Sequence, residues 1–458
     1  MEIKKRVEPQ RQSSLEAVHN FREVYQNYTK EEVILEASRC LNCKNKPCVL
    51  GCPINNNIPL INSLVKNGNF KEAYEEFKKT NQLPEVCGRV CQQEMQCEKA
   101  CTLGKIANNE SIAIGRIERF LGDYFKDLKE EFVDKKNGKK VAIIGSGPAG
   151  ITCASILAIN GFDVNIYEKD AKYGGLLTYG IPNFCLPNEV VLNSINRLKK
   201  LGVKLFNNKK IESKNDFDKL FSEGNLAIFV AHGANAPRKM NIEGEDSKYV
   251  ISAMKYLKVI NAPDECKDES LDIIKNSKKV IVVGGGNVAI DCDRAALRMG
   301  AEHVYNVYRR SEAEMPARKE EFLNAKNENV DFRFLTNPTK ILLDENKKVI
   351  GVECIKMELG EPDSSGRRRP IEIKGSNFVI DCDLVVMALG SISESEIISK
   401  ENNLHINKYG FYEVNEETME TSKENIYAGG DCVTGPTTVV LAIKAGRIAA
   451  EAIINKYK

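Results

Sequence analysis

Eight of the fifteen cysteines in this 458-residue chain fall in two runs before residue 102. Cys40, Cys43, Cys48 and Cys52 form C-x2-C-x4-C-x3-C with Pro53 next, and Cys87, Cys91, Cys97 and Cys101 form C-x3-C-x5-C-x3-C. Thiolates this dense must be bridged, metallated or buried, which leaves the N-terminal part of the chain few ways to fold. Disulfides fit poorly, because nothing marks a secreted chain. Zinc modules pair C-x2-C knuckles across a longer gap, and only Cys40 and Cys43 have that spacing. Close thiolates ending in Cys-Pro suit iron–sulfur ligation, in which each iron takes a soft anionic ligand. Two runs of four suggest two four-cysteine clusters, one per run.

The length allows about three domains. With 66 basic and 64 acidic residues the net charge is +2, which gives no electrostatic reason to expect nucleic acid or an anionic membrane as partner. No apolar run approaches the ~20 residues of a membrane helix, and Met1 to Gln10 lack the apolar stretch of a signal peptide. Cys153, Cys185, Cys266, Cys292, Cys354, Cys382 and Cys432 are scattered; as free thiols they fit a reducing cytosol and read as buried fillers. The Arg367–Arg369 run, set between a glycine and a proline, reads as a solvated turn.

Residues 1 to about 130 read as helical. Thr29 and Glu32 make a capping box ahead of Val33, Ile34, Ala37 and Leu41, whose spacing is helical and delivers the chain to Cys40. Asn67-Gly68-Asn69 interrupts the next helical stretch, and Ser111 to Phe125 reads as an amphipathic helix through Ile112, Ile117, Phe120 and Leu121. The polar segment Lys135 to Lys140 marks a domain boundary. Beyond it strands and helices alternate, which implies parallel sheets.

Val141 to Ile144 reads as a buried strand, followed by Gly145-Ser146-Gly147-Pro148-Ala149-Gly150, a helix to about Asn160 stopped by Gly161, and a strand from Asp163 to Tyr167 that ends at Glu168. Glycines there permit a tight turn and bring backbone N–H groups at a helix N-terminus close to a pyrophosphate. Glu168 stands where a carboxylate accepts from ribose hydroxyls. A second unit runs from Lys279 to Val283, then Gly284-Gly285-Gly286-Asn287-Val288-Ala289, then a helix to Met299 with Gly300 as its stop. Its second strand, His303 to Tyr308, ends in Arg309 and Arg310 instead of an acid. A carboxylate would repel the 2′-phosphate of NADP, whereas two guanidiniums clamp it; a plain basic turn is the alternative. The first unit therefore suits FAD and the second NADPH. Ile426 to Ala428, the turn Gly429-Gly430-Asp431 and a helix from Thr437 to Ala450 resume the FAD unit, with Asp431 placed to accept from ribityl hydroxyls.

These readings describe an α/β chain. A helical iron–sulfur domain over 1–134 precedes two Rossmann-like domains, with the NADPH domain (263–380) inserted between the two parts of the FAD domain (139–262 and 381–458).

Several linked stretches carry a resemblance that covers nearly the whole chain. They are Leu83 to Cys91, Gly174 to Pro182, Gly284 to Asp291, Tyr308-Arg309-Arg310-Ser311 leading to Met315-Pro316-Ala317-Arg318, and Glu358 to Asp363. In these the chain resembles the small (beta) subunit family of NADPH-dependent glutamate synthase. That lineage includes the NADP-side large subunit of NADH-dependent reduced ferredoxin:NADP oxidoreductase and the N-terminal half of dihydropyrimidine dehydrogenase. The resemblance implies interleaved ligands: Cys40, Cys43, Cys48 and Cys101 on one 4Fe–4S cluster, and Cys52, Cys91, Cys97 and Glu118 on another, with Cys87 spare. It also implies that Gly175 and Leu176 shape the flavin pocket. The family's Ala-Thr-Gly turns read Ala231-His232-Gly233 and Ala388-Leu389-Gly390 here; both read as tolerated backbone turns, with His232 as a group that titrates near the flavin the lesser alternative.

The hydride chemistry belongs to the cofactors, so no residue is assigned as acid, base or nucleophile. Cys292 stands alone between Asp291 and Asp293, against a dithiol relay. Three modules consume the chain, leaving no glutaminase domain or FMN barrel, and Glu2 rather than a cysteine stands at position 2. An electron-transfer oxidoreductase working with a second redox subunit, as an oligomer, is expected. That subunit is either the large chain of glutamate synthase or the smaller flavoprotein of a ferredoxin-linked bifurcating complex, to which Val433-Thr434-Gly435 and Val439 to Ala445 are slightly more similar. A degenerate scaffold without turnover is a third possibility, disfavoured by the intact glycines, arginines and cysteines.

Overall fold

The computed structural model describes residues 5–128, 136–363 and 366–457. Glu2, the boundary at 134 and Lys135 of the polar segment lie outside them.

The N-terminal part is helical. Thr29 Oγ1 accepts from Glu32 N at 3.2 Å while Glu32 Oε2 accepts from Thr29 N at 2.8 Å, so the capping box satisfies two orphan donors at the head of helix Lys30–Ser38. Val33 and Ala37 are buried, but Leu41 lies beyond the last turn and is exposed. Arg39 anchors the chain there through Glu36 at 2.6 Å and the carbonyl of Glu110 at 2.5 Å. Gly68, with φ +78°, separates helices Ile58–Lys66 and Phe70–Lys78. The helix read from Ser111 starts only at Ile114, because the preceding residues are held extended. Ser111 O accepts from Arg6 Nε at 2.9 Å, and Ala113 N donates to Glu36 Oε1 at 2.7 Å.

Helices Pro84–Val90 and Ile114–Tyr124 cross backbone to backbone. A Cβ on Gly88 would lie 2.4 Å from Arg119 N, and one on Gly122 would lie 2.4 Å from Glu85 N. This close crossing carries Cys87 and Cys91 to Glu118.

Two five-stranded parallel sheets follow. The first is ordered Ile426–Ala428, Asn225–Val230, Lys140–Ile144, Asp163–Tyr167 and Lys204–Phe206. The second is ordered Val250–Ser252, Leu384–Met387, Lys279–Val283, His303–Tyr308 and Asp331–Phe334. Both central strands are buried apolar runs, as parallel strands covered on two faces require. The second sheet thus draws its edge from Val250–Ser252 and its second strand from Leu384–Met387, on either side of residues 263 and 380. A short antiparallel ribbon, Ala236–Pro237 with Ser391–Ile392, links the two units.

An antiparallel arm is added by Thr336–Leu343, Val349–Pro362, Arg368–Glu372 and Phe378–Ile380. The arginine run read as a solvated turn instead enters a strand. Pro362 pairs with Arg368 and Asp363 N donates to Arg367 O at 2.8 Å, so the turn lies just before it. Helix Val439–Tyr457 outlasts the stretch read from sequence and packs along helix Pro148–Ile159.

The helical part is pinned to the first sheet unit by a buried pair. Glu85 Oε1 takes Arg197 Nη2 and Ser194 Oγ, each at 2.6 Å. Arg447 reaches the carbonyls of Ile54 and Thr80 at 3.3 and 3.4 Å. Among the described residues no helix is long and apolar enough to cross a membrane.

Candidate functional site

Both glycine turns leave one wall open. At the first, a Cβ on Gly145 would sit 2.4 Å from Ala231 O and one on Gly150 would sit 2.1 Å from Gly145 O, whereas a Cβ on Gly147 would meet nothing within 4 Å. Two glycines are thus required by packing, and the third borders free space at the head of helix Pro148–Ile159, the setting a pyrophosphate needs. Glu168, 4% exposed, turns back to brace this turn. Its Oε2 accepts from Ser146 N at 3.0 Å and Ser146 Oγ at 2.5 Å, and Oε1 accepts from Asp170 N at 3.0 Å. Ser146, unremarked in the sequence, also accepts from Gly174 N at 3.0 Å, which draws the Gly174-Gly175 bend against the turn. A Cβ on Gly175 would lie 3.2 Å from Gly147 Cα, and Leu176 opens the short helix that follows. Gly430, with φ +80°, approaches Ala149 from the last strand. Next to it Asp431 accepts from Thr437 N at 3.2 Å, and burial raises its pKa. Residues from three distant segments therefore converge on one trough.

The second turn repeats the plan. A Cβ on Gly284 would meet Ala388 O at 2.4 Å, one on Gly285 the Tyr308 ring at 2.5 Å, and one on Gly286 nothing within 4 Å. Asn287, Val288 and Ala289 open helix Asn287–Arg298, and Asn287 Oδ1 accepts from Arg318 N at 2.8 Å. The two strand-end arginines part company. Arg309 is exposed, while Arg310 is 6% exposed, paired with Asp363 at 2.7 Å and donating to Arg368 O at 2.8 Å. Arg368 in turn pairs with Glu314 at 2.6 Å. Gly390, with φ +85°, stands two residues after Ala388, whose carbonyl packs on Gly284, and immediately before the linking ribbon.

The cysteines regroup across the two runs. Cys40, Cys43, Cys48 and Cys101 line one small cavity whose other walls are mostly apolar, including Ile58, Ile112 and Ile114, with Asn62 and Thr102 as its polar members. Cys43 Sγ is 3.4 Å from Thr102 Oγ1. Burial pushes the Cys48 thiol up to about 11, with Cys40 and Cys101 adding to it. Cys52, Cys91 and Cys97 are buried and each senses Glu118 electrostatically, while Cys52 also senses Cys91 and Cys97 senses both Cys52 and Cys91. Burial raises Cys52 to about 11 and lifts Cys97; Cys91 is raised by its hydrogen bond with Cys87 and then by burial.

Glu118 is 5% exposed, and its carboxyl is pushed by burial up to about 8. Its Oε1 accepts from Asn81 at 2.8 Å and Asn56 at 3.4 Å, two amides that no sequence signal had singled out. Acids crowded in an apolar interior are stable with their protons on or with a cation in the protons' place, so the thiols of both groups fit the soft-ligand chemistry of iron–sulfur clusters, and Glu118 adds a harder oxygen donor to the second.

His232 closes the strand Asn225–Val230 and lies edge-on to Tyr412, with Nε2 3.3 Å from the Tyr412 hydroxyl and 3.4 Å from Ser395 Oγ. Desolvation first, and then Lys169, lower its pKa to about 4.

Two family models match the chain: "Dihydropyrimidine dehydrogenase domain II, 4Fe-4S cluster" over residues 17–130 and "Pyridine nucleotide-disulphide oxidoreductase" over residues 139–446. The small chain of NADPH glutamate synthase from Escherichia coli is 37% identical, over 95% of this chain and 93% of its own length. The beta subunit of the NADPH-Fe(3+) oxidoreductase of Geobacter sulfurreducens is 34% identical, over 96% of this chain and 68% of its own. Among solved structures, FprA from Mycobacterium tuberculosis in complex with NADPH superposes with a TM-score of 0.57 at 19% identity, covering 70% of this chain and 84% of that one, and shares the fold. The chain therefore belongs to the pyridine nucleotide-disulphide oxidoreductase family, in the branch of the glutamate synthase small chains, and is an iron–sulfur flavoprotein oxidoreductase.

Proposed function

We propose that the chain is the NADPH-dependent electron-transfer subunit of a glutamate synthase-type assembly, and that it works with a second redox subunit. When bound, FAD, NADPH and two 4Fe–4S clusters would supply the chemistry, exchanging a hydride between the nucleotides and single electrons with the clusters. The residues bind and orient. Gly147, Ala149 and Gly150 would present N–H groups to the FAD pyrophosphate, with Gly145 making the tight turn and Pro148, which has no N–H, starting the helix; Glu168 would lie on the ribose and Gly175, Leu176, Gly430 and Asp431 along the flavin side. Gly390 would border the cofactors where the chain turns from the second glycine turn into the linking ribbon. Gly285, Gly286, Asn287, Val288 and Ala289 would do the same for NADPH, with Arg309 on its 2′-phosphate and Arg310 holding the strand end. Cys40, Cys43, Cys48 and Cys101 would hold one cluster, and Cys52, Cys91, Cys97 and Glu118 the other. We take the nucleotide unit to run from Val250 to Met387, the limits of its sheet.

The observation that carries this reading is the cavity shared by Cys40, Cys43, Cys48 and Cys101, which are drawn from both runs. The names of the relatives, small chains and beta subunits, support a partnered protein. Anaerobic NADPH titration of the purified chain tests it, with iron and sulfide assayed. Bleaching of the flavin band with about eight irons per chain is expected. An unchanged flavin band, or zinc in place of iron, overturns it. The size of the co-purifying subunit then separates a glutamate synthase large chain from a smaller ferredoxin-linked flavoprotein.

A further inference from the structure

Arg318 belongs to the nucleotide unit by its backbone and to the cysteine domain by its side chain. Its N–H donates to Asn287 Oδ1 at 2.8 Å, at the first residue of the helix that heads the second glycine turn. Its guanidinium crosses the domain boundary. Nη1 donates to Arg89 O at 2.5 Å, and Nη2 reaches Gln93 Oε1 at 3.4 Å and Glu320 Oε2 at 3.1 Å. Arg89 and Gln93 stand two residues before and two after Cys91, so the cation lies across the chain segment that presents this thiol. The side chain is 11% exposed, so water and salt screen its charge little, while Glu320 and Glu94 offset part of it. Glu94 stands 3.7 Å from Nε and accepts from Lys319 N at 3.1 Å, tying the next residue to the same segment.

We propose that Arg318 is a positioning residue through which the nucleotide unit sets the reduction potential of the cluster at Cys52, Cys91 and Cys97. An added electron makes that site more negative by one charge, so a buried guanidinium beside it favours the reduced form. The same side chain fixes the distance between the nucleotide turn and the cysteine segment. The proposal rests on the ligand reading above.

The test is an anaerobic redox titration of the full cofactor-loaded chain, followed by electron paramagnetic resonance, in wild type, Arg318→Gln, Arg318→Lys and Glu94→Gln. Arg318→Gln should lower the reduced-to-oxidised ratio of the second cluster about tenfold at fixed potential, about 59 mV for a one-electron couple. The cluster at Cys40, Cys43, Cys48 and Cys101 should not move. Arg318→Lys keeps the charge and should keep the potential. Glu94→Gln, which leaves the arginine in place, should shift the second cluster the opposite way. Unmoved potentials in Arg318→Gln and Glu94→Gln, or equal shifts in the Gln and Lys variants, overturn the proposal and leave the ligand reading standing. Wild-type protein with a single cluster signal sinks the ligand reading and the proposal together.

Discussion

The two glycine turns share a plan and differ in how tightly they are closed. In both, an early glycine is pinned under a backbone carbonyl and a later one, Gly147 or Gly286, faces free space. At the last position of the motif the first turn has Gly150, whose Cβ would lie 2.1 Å from Gly145 O, while the second already carries Ala289. The first helix thus packs its opening turn directly against the glycine turn's own backbone. The strand ends differ as well. Glu168 is turned inward and accepts from Ser146 and Asp170, whereas the second end divides its labour between buried Arg310 and exposed Arg309. A charge at a strand end is therefore informative only once its partners are known.

Substitution at the last motif position should break the comparison most. Gly150→Ala forces backbone apart and should cost several kcal/mol with loss of bound flavin. Ala289→Gly opens no clash and should cost about 1 kcal/mol; thermal unfolding and flavin content check both. At the open positions the turns should behave alike. Gly147 and Gly286 have φ of −71° and −92°, which alanine adopts readily, so Gly147→Ala and Gly286→Ala should fold. The first should purify with little flavin, and the second should raise the KM for NADPH about tenfold or more, by steady-state kinetics.

The arginines sharpen the contrast at the strand ends. Arg309→Ala should raise the KM for NADPH about 10- to 100-fold, leave that for NADH unchanged and leave Tm unchanged. Arg310→Ala should also lower Tm, with about 1 kcal/mol of stability lost, because the ion pair between Arg310 and Asp363 is removed. The smallest effect belongs to His232. Its folded pKa, about 4, lies below the usual 6.5, so the unfolded chain binds more protons between these values and stability falls as pH is lowered through that window. His232→Asn should flatten this slope, worth on the order of 1 kcal/mol, in Tm measured against pH.

What the sequence made legible was local. The capping box at Thr29, the strand–glycine–helix units and the Asn67-Gly68-Asn69 break each depend on neighbours a few residues apart. Pairings across long separations stayed hidden. Arg310 is committed by Asp363, 53 residues away, on an arm whose arginines looked like surface turn. Val250–Ser252 is too short to announce itself as a sheet edge. Spacing alone grouped the cysteines by run, and the gathering of Cys101 with Cys40, Cys43 and Cys48 depends on how several helices stack. Arg318 ends the Met315-Pro316-Ala317 stretch, but nothing local showed that its side chain reaches another domain.

The strand Ile426–Ala428 and helix Val439–Tyr457 complete a sheet and a trough that Lys140–Ile144 began. On the ribosome the opening strand, its glycine turn and the whole nucleotide sheet emerge before these closing pieces do. Until then the first sheet has an unpaired edge at Asn225–Val230, and the helix Pro148–Ile159 lacks its cover. The flavin-binding half must therefore wait for the nucleotide half, and nascent chains stalled between the two expose a sticky sheet edge that chaperones are suited to mask.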